Sequence, residues 1–83
     1  MITRTALQRY RRMTDHHRRS PEARAFRRKL EEHLTRIQQV LRRLIVLRYC
    51  LRYSWLAVCT EMHYAEAQVY RLHNKALKAL EEL

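Results

Sequence analysis

The chain contains no glycine and a single proline, Pro21, in 83 residues. Hairpins and sheets lean on those two residues for their turns, and helix interiors exclude them. A chain almost free of both is expected to be all-α. Its abundant Ala, Leu, Arg, Glu and Gln are good helix formers and agree. The length allows one small domain, which buries only about 60–65% of its unfolded surface and is marginal alone.

The formal net charge is +10 and is unevenly spread. Residues 1–43 carry 13 Lys and Arg against 4 Asp and Glu, whereas residues 44–83 carry 5 against 4. Such asymmetry points to a polyanionic partner, nucleic acid first. Cys50 and Cys59 lack the close pairing of a zinc site and read as buried thiols in a reducing compartment. Arg48 and Arg52 interrupt the longest apolar run, so no membrane span or membrane partner is expected. Met1-Ile2-Thr3-Arg4 lacks a signal core, and a cytoplasmic location is the expectation. Adjacent His16 and His17 point about 100° apart on a helix and do not chelate. No metal or other cofactor is expected.

Three segments follow along the chain. Residues 1–19 are either a basic arm that orders on DNA or a short helix from about Thr3 to His17, with Ala6, Tyr10 and Met13 on one face. Residues 20–43 open on Ser20-Pro21-Glu22, a cap, a first-turn proline and an acid at the positive helix start. Apolar Phe26, Leu30, Leu34, Ile37, Leu41 and Leu44 then form a nearly heptad stripe, the mark of a long amphipathic helix. The stripe is expected both to cover the helix-turn-helix core of its own chain and, through Phe26, Leu30, Leu34 and Ile37, to form the interface of a homodimer. The helix is expected to end or bend near residues 40–43, the alternative being one uninterrupted helix from Pro21 to about Leu51. Residues 44–83 hold a first helix at Leu44–Leu51, then two more.

Ser54 is placed to cap a helix running from Trp55 to Met62, and a second runs on from Glu66. Leu56, Val58, Cys59 and Met62 are expected to face inward, with the small Cys59 where two helices cross steeply. Apolar positions Val58, Met62, Tyr64, Val69 and Leu72 close the wedge between them, the pattern of a helix-turn-helix.

The residues Leu47-Arg48-Tyr49, Trp55, Val58, Met62, Tyr64, Val69-Tyr70-Arg71-Leu72-His73 and Ala76-Leu77 resemble region four of bacterial primary sigma factors. They are still more similar to small phage regulators of the RinA type, over about residues 41–83. The resemblance implies sequence-specific DNA binding and control of transcription by a protein of phage or prophage origin. This chain has His63 where the family often has glycine, Ala65 where it has Ser or Thr, Cys59 where it often has alanine, and Gln68 where sigma factors have arginine. His63 is expected at positive φ. Ala65 forgoes a side-chain cap, at a cost of roughly 1 kcal/mol.

Stepping 100° per residue from Val69 puts Val69, Leu72, Ala76, Leu80 and Leu83 on the core side. Ala67, Arg71, Asn74 and Lys78 point away, flanked by Gln68 and Lys75. Ala67, Gln68, Arg71 and Asn74 are therefore the candidate base readers. Arg matches guanine O6 and N7, and Gln or Asn matches adenine N6 and N7. Lys75, Lys78, Arg42, Arg43, Arg48, Arg52, Arg11, Arg12, Arg18 and Arg19 are candidates for phosphate contact. Tyr70 and Leu77 are expected to pack.

Catalysis finds no support. No carboxylates pair in an apolar setting, and the i, i+4 pair Cys59–His63 sits where the thiol is expected to be buried and inert. Two other functions compete with a DNA-binding regulator: a terminase-like packaging protein that assembles into rings, and a sigma mimic that captures RNA polymerase without reading DNA.

Overall fold

The computed structural model describes Met1 to Leu83 and is all-helical, without strands. Five α-helices follow in order: α1 (Arg4–Arg12), α2 (Pro21–Leu34), α3 (Gln39–Ile45), α4 (Trp55–Met62) and α5 (Glu66–Glu82). A 3-10 turn at His17–Arg19 leads into α2, and a π-helical turn at Val46–Cys50 continues α3.

Three helices start where short polar side chains can accept from orphan amides. Thr3 accepts from the Ala6 amide at 3.1 Å, Ser20 from Ala23 at 3.2 Å, and Ser54 from Ala57 at 3.1 Å. α3, after Gln38, and α5, after Ala65, start without such a cap, though Glu66 places a carboxylate in the first turn of α5.

Residues 1–19 are a built part of the fold. Leu7 and Tyr10 of α1 are buried against the π-helical turn, and Ile2 is buried with its amide donating to the Leu80 carbonyl at 3.1 Å. The N-terminal strip is therefore held by the π-helical turn and by the last turns of α5.

The expected helix over residues 20–43 is corrected. It stops at Leu34, and a new helix starts at Gln39, so the division between residues 43 and 44 falls inside α3. Neither Gly nor Pro marks the break. Thr35 turns its hydroxyl back onto the Glu32 carbonyl at 2.7 Å, and the amides of Arg36 and Ile37 reach only three residues back. Arg42 then donates from Nε to the Leu34 carbonyl at 2.9 Å, satisfying the end of the helix from eight residues downstream. The uninterrupted alternative to Leu51 fails for the same reason.

Within the expected dimer face, Leu30 and Leu34 are corrected with it. Leu30 and Leu34 are fully buried in the chain's own core, beside Leu41 and Leu44. Phe26 is half-buried, with its ring 5.3 Å from that of Tyr10, and Ile37 also packs on this core. Folding the stripe back at residues 35–38 covers it from within.

The core is completed where α3 and α4 each pack on α5, through Leu44, Ile45, Val58, Met62, Val69, Ala76, Leu77 and Leu80. Leu56, expected inside, is 78% exposed. It lies about 200° round the helix from Val58, on the far face of a two-turn segment whose inward side is already set by Val58 and Met62. No helix is long and apolar enough to cross a membrane.

Candidate nucleic-acid interface

The turn between α4 and α5 is made without glycine. His63 adopts φ 59 and ψ 39. Its amide donates to the Thr60 carbonyl at 3.3 Å, and the Tyr64 amide donates to the Cys59 carbonyl at 3.2 Å. This pair of bonds is the Schellman closure, with histidine in the left-handed position that glycine usually fills. The chain has one further non-glycine residue of this kind, Arg52 at φ 62. There the bond from the Tyr53 amide to the Leu47 carbonyl closes the π-helical turn, one residue longer than the cap after α4.

Beyond His63, α5 presents two faces. Val69, His73, Ala76, Leu77 and Leu80 are buried, and Leu72 is half-buried. Glu66, Ala67, Gln68, Arg71, Asn74, Lys75 and Lys78 are exposed. None of these cationic side chains enters any of the three ion pairs, which are Arg27–Glu31, Arg43–Glu61 and Arg52–Asp15. The candidate base readers thus share one open, uncompensated surface. Leu83, expected on the core side, is exposed at the chain's end, and Tyr70 is exposed with its ring against Trp55 at 5.1 Å.

The candidate phosphate contacts divide sharply. Lys75, Lys78, Arg12 and Arg19 are exposed. Arg11, Arg18, Arg42, Arg43, Arg48 and Arg52 instead donate to main-chain carbonyls. Three of them, Arg11, Arg18 and Arg48, converge on one place, the end of the π-helical turn. Arg11 Nε donates to the Arg48 carbonyl at 3.0 Å, and Arg18 donates to the carbonyls of Tyr49 at 2.9 Å and Cys50 at 2.6 Å. Arg11 Nη2 reaches the carbonyls of Arg52 and Tyr53 at 3.4 Å, and Arg48 Nη1 also reaches Tyr53, at 2.9 Å. Arg52 bonds the Met13 carbonyl at 2.6 Å and the Asp15 carboxylate at 3.0 Å. A helix end carries orphan carbonyls and partial negative charge, and guanidinium forks answer both. Placing these arginines on phosphate is corrected accordingly: Arg11, Arg18, Arg42, Arg48 and Arg52 are half-buried structural donors. Arg43 is exposed but is tied to Glu61 by its carbonyl at 3.3 Å and by its carboxylate.

His73 is the residue that the helical wheel passed over. It is 4% exposed, with Nε2 2.6 Å from the Tyr49 hydroxyl and its ring edge-on to Trp55 at 4.7 Å. Burial, aided by the charges of Arg4 and Arg48, lowers its pKa to about 4. Burial also raises that of Tyr49, which keeps its proton. A neutral imidazole beside a protonated phenol ties the base of α5 to the π-helical turn. Its spacing from Val69, Ala76, Leu77 and Leu80 is itself the periodic signal of a buried position. Trp55 is half-buried between Arg48, whose guanidinium lies 4.2 Å from its ring centre, and the rings of Tyr70 and His73. Cys50 is buried, and burial raises its thiol pKa, whereas Cys59 is only half-buried.

Compared with protein-family models, characterised proteins and solved structures, the chain matches none.

Proposed function

We propose that the protein binds double-stranded DNA sequence-specifically, as a regulator of transcription, with the N-terminal half of α5 in the major groove. On this reading α4, the turn at His63 and α5 are a helix-turn-helix. The observation that carries it is the open face of α5, where Ala67, Gln68, Arg71 and Asn74 are all exposed on one side of a helix whose other side is fixed in the core. A major groove about 12 Å wide admits such a helix. Arg71 would donate to a guanine edge and Gln68 or Asn74 to an adenine edge, with Lys75 and Lys78 reaching phosphates further along. The similarity of Leu47 to Leu80 to region four of sigma factors supports the transcriptional part of the reading.

Selection of bound duplexes from random sequence tests it. An enriched consensus is expected. Arg71→Ala should then cost about 1–3 kcal/mol on the selected site and far less on random DNA. Equal weakening on every sequence would show that α5 does not read the groove.

A further inference from the structure

A small cleft lies on the side of α5 that carries His73. Arg4, Gln8 and Arg12 line it from successive turns of α1, and Arg11 joins them. Arg48, Tyr49, Trp55 and His73 form the rest of its wall, enclosing about 140 Å³. That is room for several waters at about 30 Å³ each.

No Asp or Glu lines this space, although four guanidinium groups do. They fall into two kinds. Arg11 and Arg48 are held rigid: both donate to the Tyr53 carbonyl, and Arg48 is also stacked on Trp55. Arg48 Nε is shut away from solvent with no hydrogen-bond partner. Arg4 and Arg12 are exposed and enter no ion pair. Burial works most against the charge of Arg48 and against protonation of His73, and like charges add to it, Arg11 at Arg48 and Arg4 and Arg48 at His73. Cations gathered without a counter-charge repel one another, and an anion among them removes that repulsion while accepting charge-assisted hydrogen bonds.

We propose that this cleft is a binding site for a phosphate group, held by Arg4 and Arg12 at its rim, with Gln8 donating between them and the fixed charges of Arg11 and Arg48 behind. A tetrahedral oxyanion presents several acceptor edges and matches more than one guanidinium fork, whereas a carboxylate occupies one. The phosphate comes either from a nucleic-acid backbone or from a free phosphorylated molecule. The first source suits the location, because exposed Tyr70, packed on Trp55, joins the cleft to the stretch of α5 that carries Arg71. The site does not depend on α5 reading DNA.

The test is thermal unfolding of the full chain in inorganic phosphate, acetate or chloride at equal ionic strength. Phosphate is expected to raise the melting temperature by a few degrees, saturating with concentration, because a ligand of the folded state stabilises it. The double variant Arg4→Gln/Arg12→Gln should lose that rise. Arg24→Gln/Arg28→Gln, two exposed positions on α2, should keep it. Phosphorus NMR of inorganic phosphate gives a second reading, with line broadening by the wild type and none by the double variant. Equal effects of phosphate, acetate and chloride, or a rise that survives in Arg4→Gln/Arg12→Gln, would overturn the proposal. Where the phosphate site holds, the salt dependence of duplex binding separates the sources. A slope reduced by about 0.9 per lost contact in the double variant identifies backbone phosphate. An unchanged slope, or no duplex binding at all, identifies a free phosphorylated ligand.

Discussion

Replacing Arg18 with methionine should unfold much of what joins the first half of the chain to the second. The side chain donates twice to the Tyr10 carbonyl, at 3.2 and 2.9 Å, and to the carbonyls of Tyr49 and Cys50 at 2.9 and 2.6 Å. Its guanidinium also lies 4.0 Å from the centre of the Tyr10 ring. Methionine keeps the apolar stem and removes every donor. All three carbonyls belong to buried residues; that of Tyr10 keeps the Met13 amide, and those of Tyr49 and Cys50 lose the guanidinium. Hydrogen bonds to a charged group contribute about 1.5–3 kcal/mol each, and they share one guanidinium whose own burial works against its charge. A net loss of about 3 kcal/mol is expected, a large part of the stability of so small a domain. In urea unfolding followed by circular dichroism, this moves the midpoint down by roughly 2–3 M at a slope near 1 kcal/mol/M, with the slope unchanged. Arg18→Lys, which keeps the charge but not the fork, should lose most of the same energy. Arg19→Met, one residue on and exposed, should stay within about 0.5 kcal/mol of wild type. A wild-type midpoint for Arg18→Met, or full rescue by lysine, would refute the view that the arginines are carbonyl donors rather than a diffuse positive field.

Three other outcomes are expected. Because the pKa of His73 falls from 6.5 unfolded to about 4 folded, the unfolded chain binds the extra proton between those values. Stability should be full above about pH 6.5 and fall by about 3 kcal/mol as pH drops towards 4, and His73→Leu should flatten that fall in denaturant titrations. His63→Gly should raise stability by roughly 0.5–1 kcal/mol, since φ 59 suits glycine best; a lower melting temperature would show that the imidazole makes compensating contacts. Leu34→Ala should cost about 2–5 kcal/mol by the same amount at every protein concentration, whereas a dimer interface would make the loss concentration-dependent.

The starts of α2 and α4 could be read from the chain because they are written locally. Ser20-Pro21-Glu22 and Ser54-Trp55 carry the chemistry of a helix start within three residues, and the structure begins helices there. The left-handed turn at His63 was expected on other grounds, from the glycine that the resembled family often has at this place. The ends of helices were harder. The stop at Leu34 is enforced by Arg42, the stop after Cys50 by Arg11 and Arg18 from more than thirty residues away, and no local signal announces either. The open face of α5 follows from helical periodicity alone. The division of the arginines does not, because a guanidinium on a carbonyl and one in solvent look alike in sequence. A chain without glycine still has to satisfy its helix ends, and that need was the available clue.

Of the 18 basic residues only Lys29, Lys75 and Lys78 are lysines, and all three are exposed. An Arg-to-Lys exchange is neutral on most protein surfaces. Here it separates two populations that net charge treats as one: residues free to drift between the two amino acids, and residues for which the planar fork is indispensable. Charge on this molecule is consequently not an independent variable for selection or for engineering. Lowering it to weaken a polyanion interaction is open at Arg12, Arg19 or the lysines, whereas the same change at Arg11, Arg18 or Arg48 dismantles the scaffold. The same division carries over to covalent chemistry: dicarbonyl reagents that cap guanidinium groups should act as denaturants of this fold, and amine acylation should leave it standing.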